Sequence, residues 1–153
     1  MTETELVFRR VHRASRALVF ECMTTPDHLT HFWGPTGTTT PIGNITVDLR
    51  PGGAFETTMV NDADGSTHTM RAVYVEIEPP ERLVWTEADV EGGMRTTITF
   101  ADLGDGTTEV VTRQTNVPSR YLNSSAQAGF TSSLDRFDIY LAGVNAGHHH
   151  QAG

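Results

Sequence analysis

Between residues 42 and 116 apolar and polar positions trade places every one or two residues, whereas after Pro118 they recur every three or four. That change of period separates a run of strands from a long helix. The strand-like segments are rich in Thr, Val and Ile and are punctuated by turn chemistry at Pro51-Gly52-Gly53, Asp64-Gly65, Pro79-Pro80, Gly92-Gly93 and Asp105-Gly106. The pattern predicts strands near 42–50, 53–61, 67–77, 82–88, 94–102 and 107–116. Spacing this short implies antiparallel hairpins and not βαβ units.

At the N-terminal end, residues 3–11 alternate around Leu6, Phe8 and Val7, Val11, which suits a further strand. The stretch ASRALVFECMTTPDHLTHFWGP then changes period. Ser15 caps a short helix with Leu18, Val19, Cys22 and Met23 on one face, and Pro26 followed by Asp27 opens a second that Gly34 and Pro35 end. In the last element Phe130, Leu134, Phe137 and Leu141 step by four, three and four, so one helix is expected from a cap at Ser119 to Gly143, with the first three side chains pointing inward. The remaining VNAGHHHQAG is polar and glycine-containing, and residues 144–153 are expected to be a disordered tail.

One strand, two short helices, six strands and a long helix is the order of an α+β helix-grip fold. A seven-stranded curved antiparallel sheet cannot bury one face alone, so the last helix must lie across its concave side. Space left between them becomes a pocket. No internal repeat or second domain is visible, and residues 1–143 read as one domain, a length that buries roughly 70% of the unfolded chain's surface without disulfides or a structural metal.

Composition narrows the function classes. A single cysteine, Cys22, sits in an apolar stretch, so it forms no intramolecular disulfide and suits a reducing compartment. The N-terminal MTETELVFRRV lacks a basic, then apolar, secretory signal, and no run reaches the eighteen or so apolar residues of a membrane span, so a cytoplasmic protein without membrane insertion is expected. A net charge of −8 opposes nucleic-acid binding. All eleven basic residues are arginine, which excludes Schiff-base lysine catalysis and a lysine-dependent phosphate loop.

Four runs then resemble a known family: PDHLTHFWGP at 26–35, DLRPGGAFE at 48–56, DGSTHTMRAVYVEIEPPERLVW at 64–85 and GFTSSLDRFDIYL at 129–141. They are similar to the Aha-type branch of the START/Bet v-like SRPBCC superfamily, named for an activator of the heat-shock protein 90 ATPase. The resemblance implies a stand-alone bacterial protein that binds a small, largely hydrophobic molecule in an internal pocket, as carrier, sensor or resistance protein, with no cofactor. Some relatives are cyclases, so an acid/base enzyme of cyclase or hydrolase type acting on a polyketide-like or carbonyl substrate is the alternative. The co-chaperone carries an additional N-terminal domain for which this chain has no room, which leaves a chaperone-associated interaction module as the least favoured reading. A homodimer stays open.

The residues expected to line the pocket are Trp33, Met59, Trp85, Met94, Gln114, Phe130 and Phe137, with Tyr74 uncertain because Val73, Val75 and Ile77 compete for the inward face of its strand. Trp33 closes one end of the grip with an amphipathic ring. Methionines 59, 70 and 94 offer an adaptable lining, and Gln114 offers both a donor and an acceptor. Glu87 follows Leu83 and Trp85 at period two; facing an apolar pocket, its carboxyl would be raised in pKa and would be the candidate acid/base. The alternative for Glu87 is a solvated residue at the sheet rim. His28 and His31, at i and i+3, lack a third metal ligand nearby and read as a surface pair, and the HHH at 148–150 reads as tail, native or appended, so no metal site is expected.

Overall fold

The computed structural model describes residues 5–87, 93–118, 122 and 124–152. Its first strand, β1 (Glu5–His12), is followed by α1 (Arg16–Thr24) and α2 (Pro26–Leu29). Ser15 caps α1 by accepting a hydrogen bond from the Leu18 amide at 3.2 Å, and Pro26 occupies the first turn of α2, where its missing N–H is no loss. The remaining strands are β2 (Thr38–Thr39), β3 (Ile45–Val47), β4 (Ala54–Asn61), β5 (Thr67–Glu78), β6 (Arg82–Glu87), β7 (Met94–Asp102) and β8 (Thr108–Thr115). Helix α3 (Ser124–Ala152) closes the chain.

The strands form one eight-stranded antiparallel sheet in the order β1-β8-β7-β6-β5-β4-β2, with β3 also on β4. Because β1 returns to pair with β8, the N-terminal strand prolongs the sheet at the side opposite the β2 edge. The strand expected near 42–50 is shortened to β3, because residues 42–44 form a 3-10 turn, and a short strand, β2, lies before it in what reads as a loop. Pro41 lacks an N–H for a ladder, and a 3-10 turn at Ile42–Asn44 separates β2 from β3.

Helix α3 crosses the inner face. Phe130 meets Phe8 of β1 with centroids 4.2 Å apart, and Phe137 meets His12 of β1 at 4.9 Å and Phe32 at 4.3 Å. Its middle is tied to the loop after α2, since the Arg136 guanidinium donates to the carbonyls of Gly34, Pro35 and Thr38 at 2.8, 3.1 and 3.3 Å. The expected cap at Ser119 lies outside the described residues. The helix does not stop at Gly143, the end expected from the sequence, but continues to Ala152. An interior glycine costs a helix only about 1 kcal/mol relative to alanine, and no proline follows to end it.

Candidate functional site

A cavity of about 450 Å³ lies between α3 and the sheet. Its size follows from what faces it. On α3 the facing residues include Ala126, Gly129 and Ser133, which are too small to reach the strands, so larger side chains at Phe130, Leu134 and Phe137 prop the helix away from them. The strands contribute flexible or short side chains at Met59, Met70, Met94, Thr96 and Thr112. Where the chain leaves α2, Gly34 has φ +100°, and a Cβ there would stand 2.6 Å from the Met59 sulfur and 2.7 Å from Thr38 Oγ1. Only glycine lets the loop carrying Trp33 pass so close to that wall.

The structure brings Trp33, Met59, Trp85, Met94, Gln114, Phe130 and Phe137 together around this one space, and Glu87 with them. Tyr74 stands behind the wall. It points inward, 1% exposed, but its ring stacks on Phe55 with centroids 5.5 Å apart and meets Trp85 edge-on at 6.4 Å, so Trp85 and Phe55 separate it from the cavity. A bulge removes the competition over parity: the β5–β6 register skips Val75 between Tyr74 and Glu76. Val73 and Val75 therefore face out at 43% and 42% exposure, while Ile77 returns to the core opposite Leu83.

The cavity wall holds few polar groups, and several have no partner among the described residues. Trp33 is satisfied, its indole N–H donating to Thr57 Oγ1 at 3.0 Å. Trp85 Nε1, Thr96 Oγ1 and His12 Nε2 are buried without a hydrogen bond. Leaving such a group unpaired costs about 1–3 kcal/mol, so three on one wall need an explanation. Trp85, Thr96 and Gln114 lie on one register row across β6, β7 and β8. Glu87 continues the inward face of β6 beside Met94, and burial pushes its carboxyl up to about 7.

His12 escapes a reading of the sequence. In RRVHR it looks like one more polar residue of a solvated strand, yet its side chain is 1% exposed and lines the cavity. Its Nδ1 lies 2.6 Å from Asp138 Oδ1 on α3, and the other Asp138 oxygen accepts from Arg10 at 2.8 Å. Burial holds the imidazole below its ordinary pKa despite the opposing pull of Asp138, so the ring is neutral at pH 7. The available signal was parity alone, since Leu6, Phe8, Arg10 and His12 share one side of β1.

Other candidates lie apart from the cavity. His28 Nδ1 pairs with the Tyr140 hydroxyl and its Nε2 lies 3.2 Å from Glu21, while His31 stacks on the Tyr140 ring at 5.1 Å. Among the described residues no three His, Cys, Asp or Glu side chains converge on a metal position. Cys22 is fully buried and its thiol is pushed up to about 12 by burial, which leaves it protonated and unreactive at neutral pH. No helix among the described residues is long and apolar enough to cross a membrane.

The family described as activator of Hsp90 ATPase homolog 1-like protein matches residues 13–142. A solved structure from Chromobacterium violaceum is similar with a TM-score of 0.80 at 26% identity, over 89% of this chain and 96% of its own. One from Nitrosomonas europaea gives 0.80 at 22% identity, over 93% and 96%. An AHSA1-like protein from Aeromonas hydrophila gives 0.79 at 20%, over 93% and 94%. The latter two likenesses are of fold alone. No curated protein matches the chain.

Proposed function

The chain belongs to the activator of Hsp90 ATPase homolog 1-like family, and from that premise we propose that it binds one small, largely hydrophobic molecule between α3 and the sheet, as a carrier, sensor or resistance protein. The observation that carries this reading is the cavity itself. Its volume of about 450 Å³ falls within the range of small-molecule sites, and its wall is mainly aromatic, methionine and aliphatic with a few polar groups left unpaired. Trp33, Met59, Trp85, Met94, Phe130 and Phe137 supply the apolar contact and Gln114 orients. Affinity then follows buried apolar area, at about 25 cal/mol per Å² before the costs of association. A single buried cysteine suits the reducing cytoplasm as its place of work.

One observation favours a second reading, in which the site performs acid/base chemistry on a carbonyl-bearing substrate. Glu87 lines the cavity, and a carboxyl poised near pH 7 can both take and return a proton. Incubation of the protein with a broad metabolite extract, followed by native mass spectrometry of the complex and of the supernatant, separates the two. A retained apolar compound of unchanged mass supports binding. Depletion of a compound with appearance of its product, abolished by Glu87→Gln, supports the enzyme. If nothing is retained and a hydrophobic dye such as anilinonaphthalene sulfonate is not taken up, both are wrong.

A further inference from the structure

At one end of the cavity His12 is held as an oriented acceptor. Asp138 accepts from Arg10 at 2.8 Å, and Arg10 also donates to Asp135 at 2.8 Å, so the carboxylate is fixed from the far side. A carboxylate so engaged can only accept from the imidazole, which places the ring proton on Nδ1 and leaves a bare lone pair on Nε2. That nitrogen is buried and has no partner among the described residues, and the ring's aromatic neighbour is the edge-on Phe137. Nothing among the described residues supplies the missing donor.

We infer that His12, positioned by Asp138, recognises a hydroxyl group on the bound molecule, so that the ligand is an elongated, mostly apolar compound with a hydroxyl at the end that reaches β1's last residue. This rests on the ligand-binding reading above. A carbonyl or carboxylate would set lone pair against lone pair, and a cation would have to be stripped of water in an apolar space; a neutral O–H meets neither obstacle. Elongation follows from the sheet. Leu6, opposite Gln114, and His12, six residues further on β1, both line the cavity, and six residues of strand span about 20 Å. At the Gln114 end the unpaired groups are Trp85 Nε1, which can only donate, and Thr96 Oγ1, so that end suits an acceptor such as a carbonyl or ether oxygen.

The test is calorimetric titration of the wild-type chain and His12→Phe with 4-hydroxybiphenyl and 4-methylbiphenyl, two probes of one shape. The ratio of their dissociation constants is expected to shift by about tenfold toward the methyl compound in the variant, the loss of one hydrogen bond. If both probes bind and the ratio stays within about twofold, the assignment of His12 is wrong while the cavity reading stands. If neither probe nor a hydrophobic dye binds the folded wild type, the cavity reading fails first. Should His12→Phe not fold, long-range 1H–15N spectra of the wild type decide. A proton on Nδ1 that moves to Nε2 in Asp138→Leu supports the arrangement, and a proton already on Nε2 in the wild type overturns it.

Discussion

One face of the sheet is solid at one side and hollow at the other. Over β4, β5 and β6 the rings of Trp33, Phe55, Tyr74 and Trp85 interlock with centroids 5.0–6.4 Å apart, and Phe55 and Tyr74 are almost wholly excluded from solvent. Over β7, β8 and β1 the residues facing the cavity include Thr96, Thr112, Gln114 and Leu6 beside Phe8, Met94 and Ile98. Met59, Met70 and Glu87 join them from β4, β5 and β6, and the helix above offers Ala126, Gly129 and Ser133. Both sides are built on paired antiparallel strands, with one bulge, between Tyr74 and Glu76, on the solid side. What differs is side-chain volume, so the cavity is a choice of residues on a shared scaffold and not a gap in the fold. Trp85 belongs to both regions, packed into the cluster and lining the cavity, with its indole N–H unpaired among the described residues.

The largest effect should come from breaking the solid side. Phe55→Ala removes a ring at 0% exposure with three aromatic partners, and should cost about 3–5 kcal/mol in denaturant unfolding. A loss below 1 kcal/mol would mean that the cluster is not solid.

Glu87 tests the hollow side through pH. Its carboxyl, held near 7 in the folded chain against an ordinary 4.5, keeps a proton there that the unfolded chain has given up. Stability from this group is therefore full below about pH 4.5 and is lost as pH rises to about 7, by on the order of 3 kcal/mol. Glu87→Gln should flatten that slope and make the protein more stable than wild type at pH 8. His12 acts in the opposite direction, because its lowered pKa gives stability that is present above about 6.5 and lost on acidification, so the Gln variant should expose a residual acid-side decline. An unchanged pH profile in Glu87→Gln would show that the carboxyl is solvated.

Leu134→Ala should cost only about 1–2 kcal/mol, less than a fully enclosed leucine, because one side of Leu134 already borders empty space. The comparison with Phe55→Ala is the point, and equal losses would erase the distinction between the two regions. The smallest expected change in stability is that of Ser133→Leu, within about 1 kcal/mol, since the added side chain has room. The same substitution should abolish uptake of a hydrophobic dye; undiminished uptake would place the binding space elsewhere.

Much of this was legible in the chain. Helix α3 announced its inner face through Phe130, Leu134 and Phe137, because a helical period survives unaltered into the structure. Strand parity is more fragile. Tyr74 was undecidable since one bulged residue, Val75, lets β5 turn two successive apolar runs toward opposite faces, and a bulge leaves no mark in a run of Val, Tyr and Ile. His12 was illegible for another reason: its burial depends on Asp138, 126 residues away, and no local pattern reports so distant a partner. Gly143 misled because glycine ends a helix only where the backbone turns left-handed, and here the chain stays helical through it.

The chain's only two tryptophans stand on the cavity wall with their ring centroids 6.4 Å apart and their planes at 57°. Two indoles that close and that obliquely set share their electronic excitation, and the protein thereby carries an exciton-coupled pair whose circular dichroism depends on their mutual angle. Trp33 is fixed to Thr57, while the Trp85 indole nitrogen has no partner among the described residues. Occupancy of the cavity is thus written into the chiral optical spectrum of the unlabelled protein, as a couplet that either tryptophan-to-phenylalanine substitution would erase.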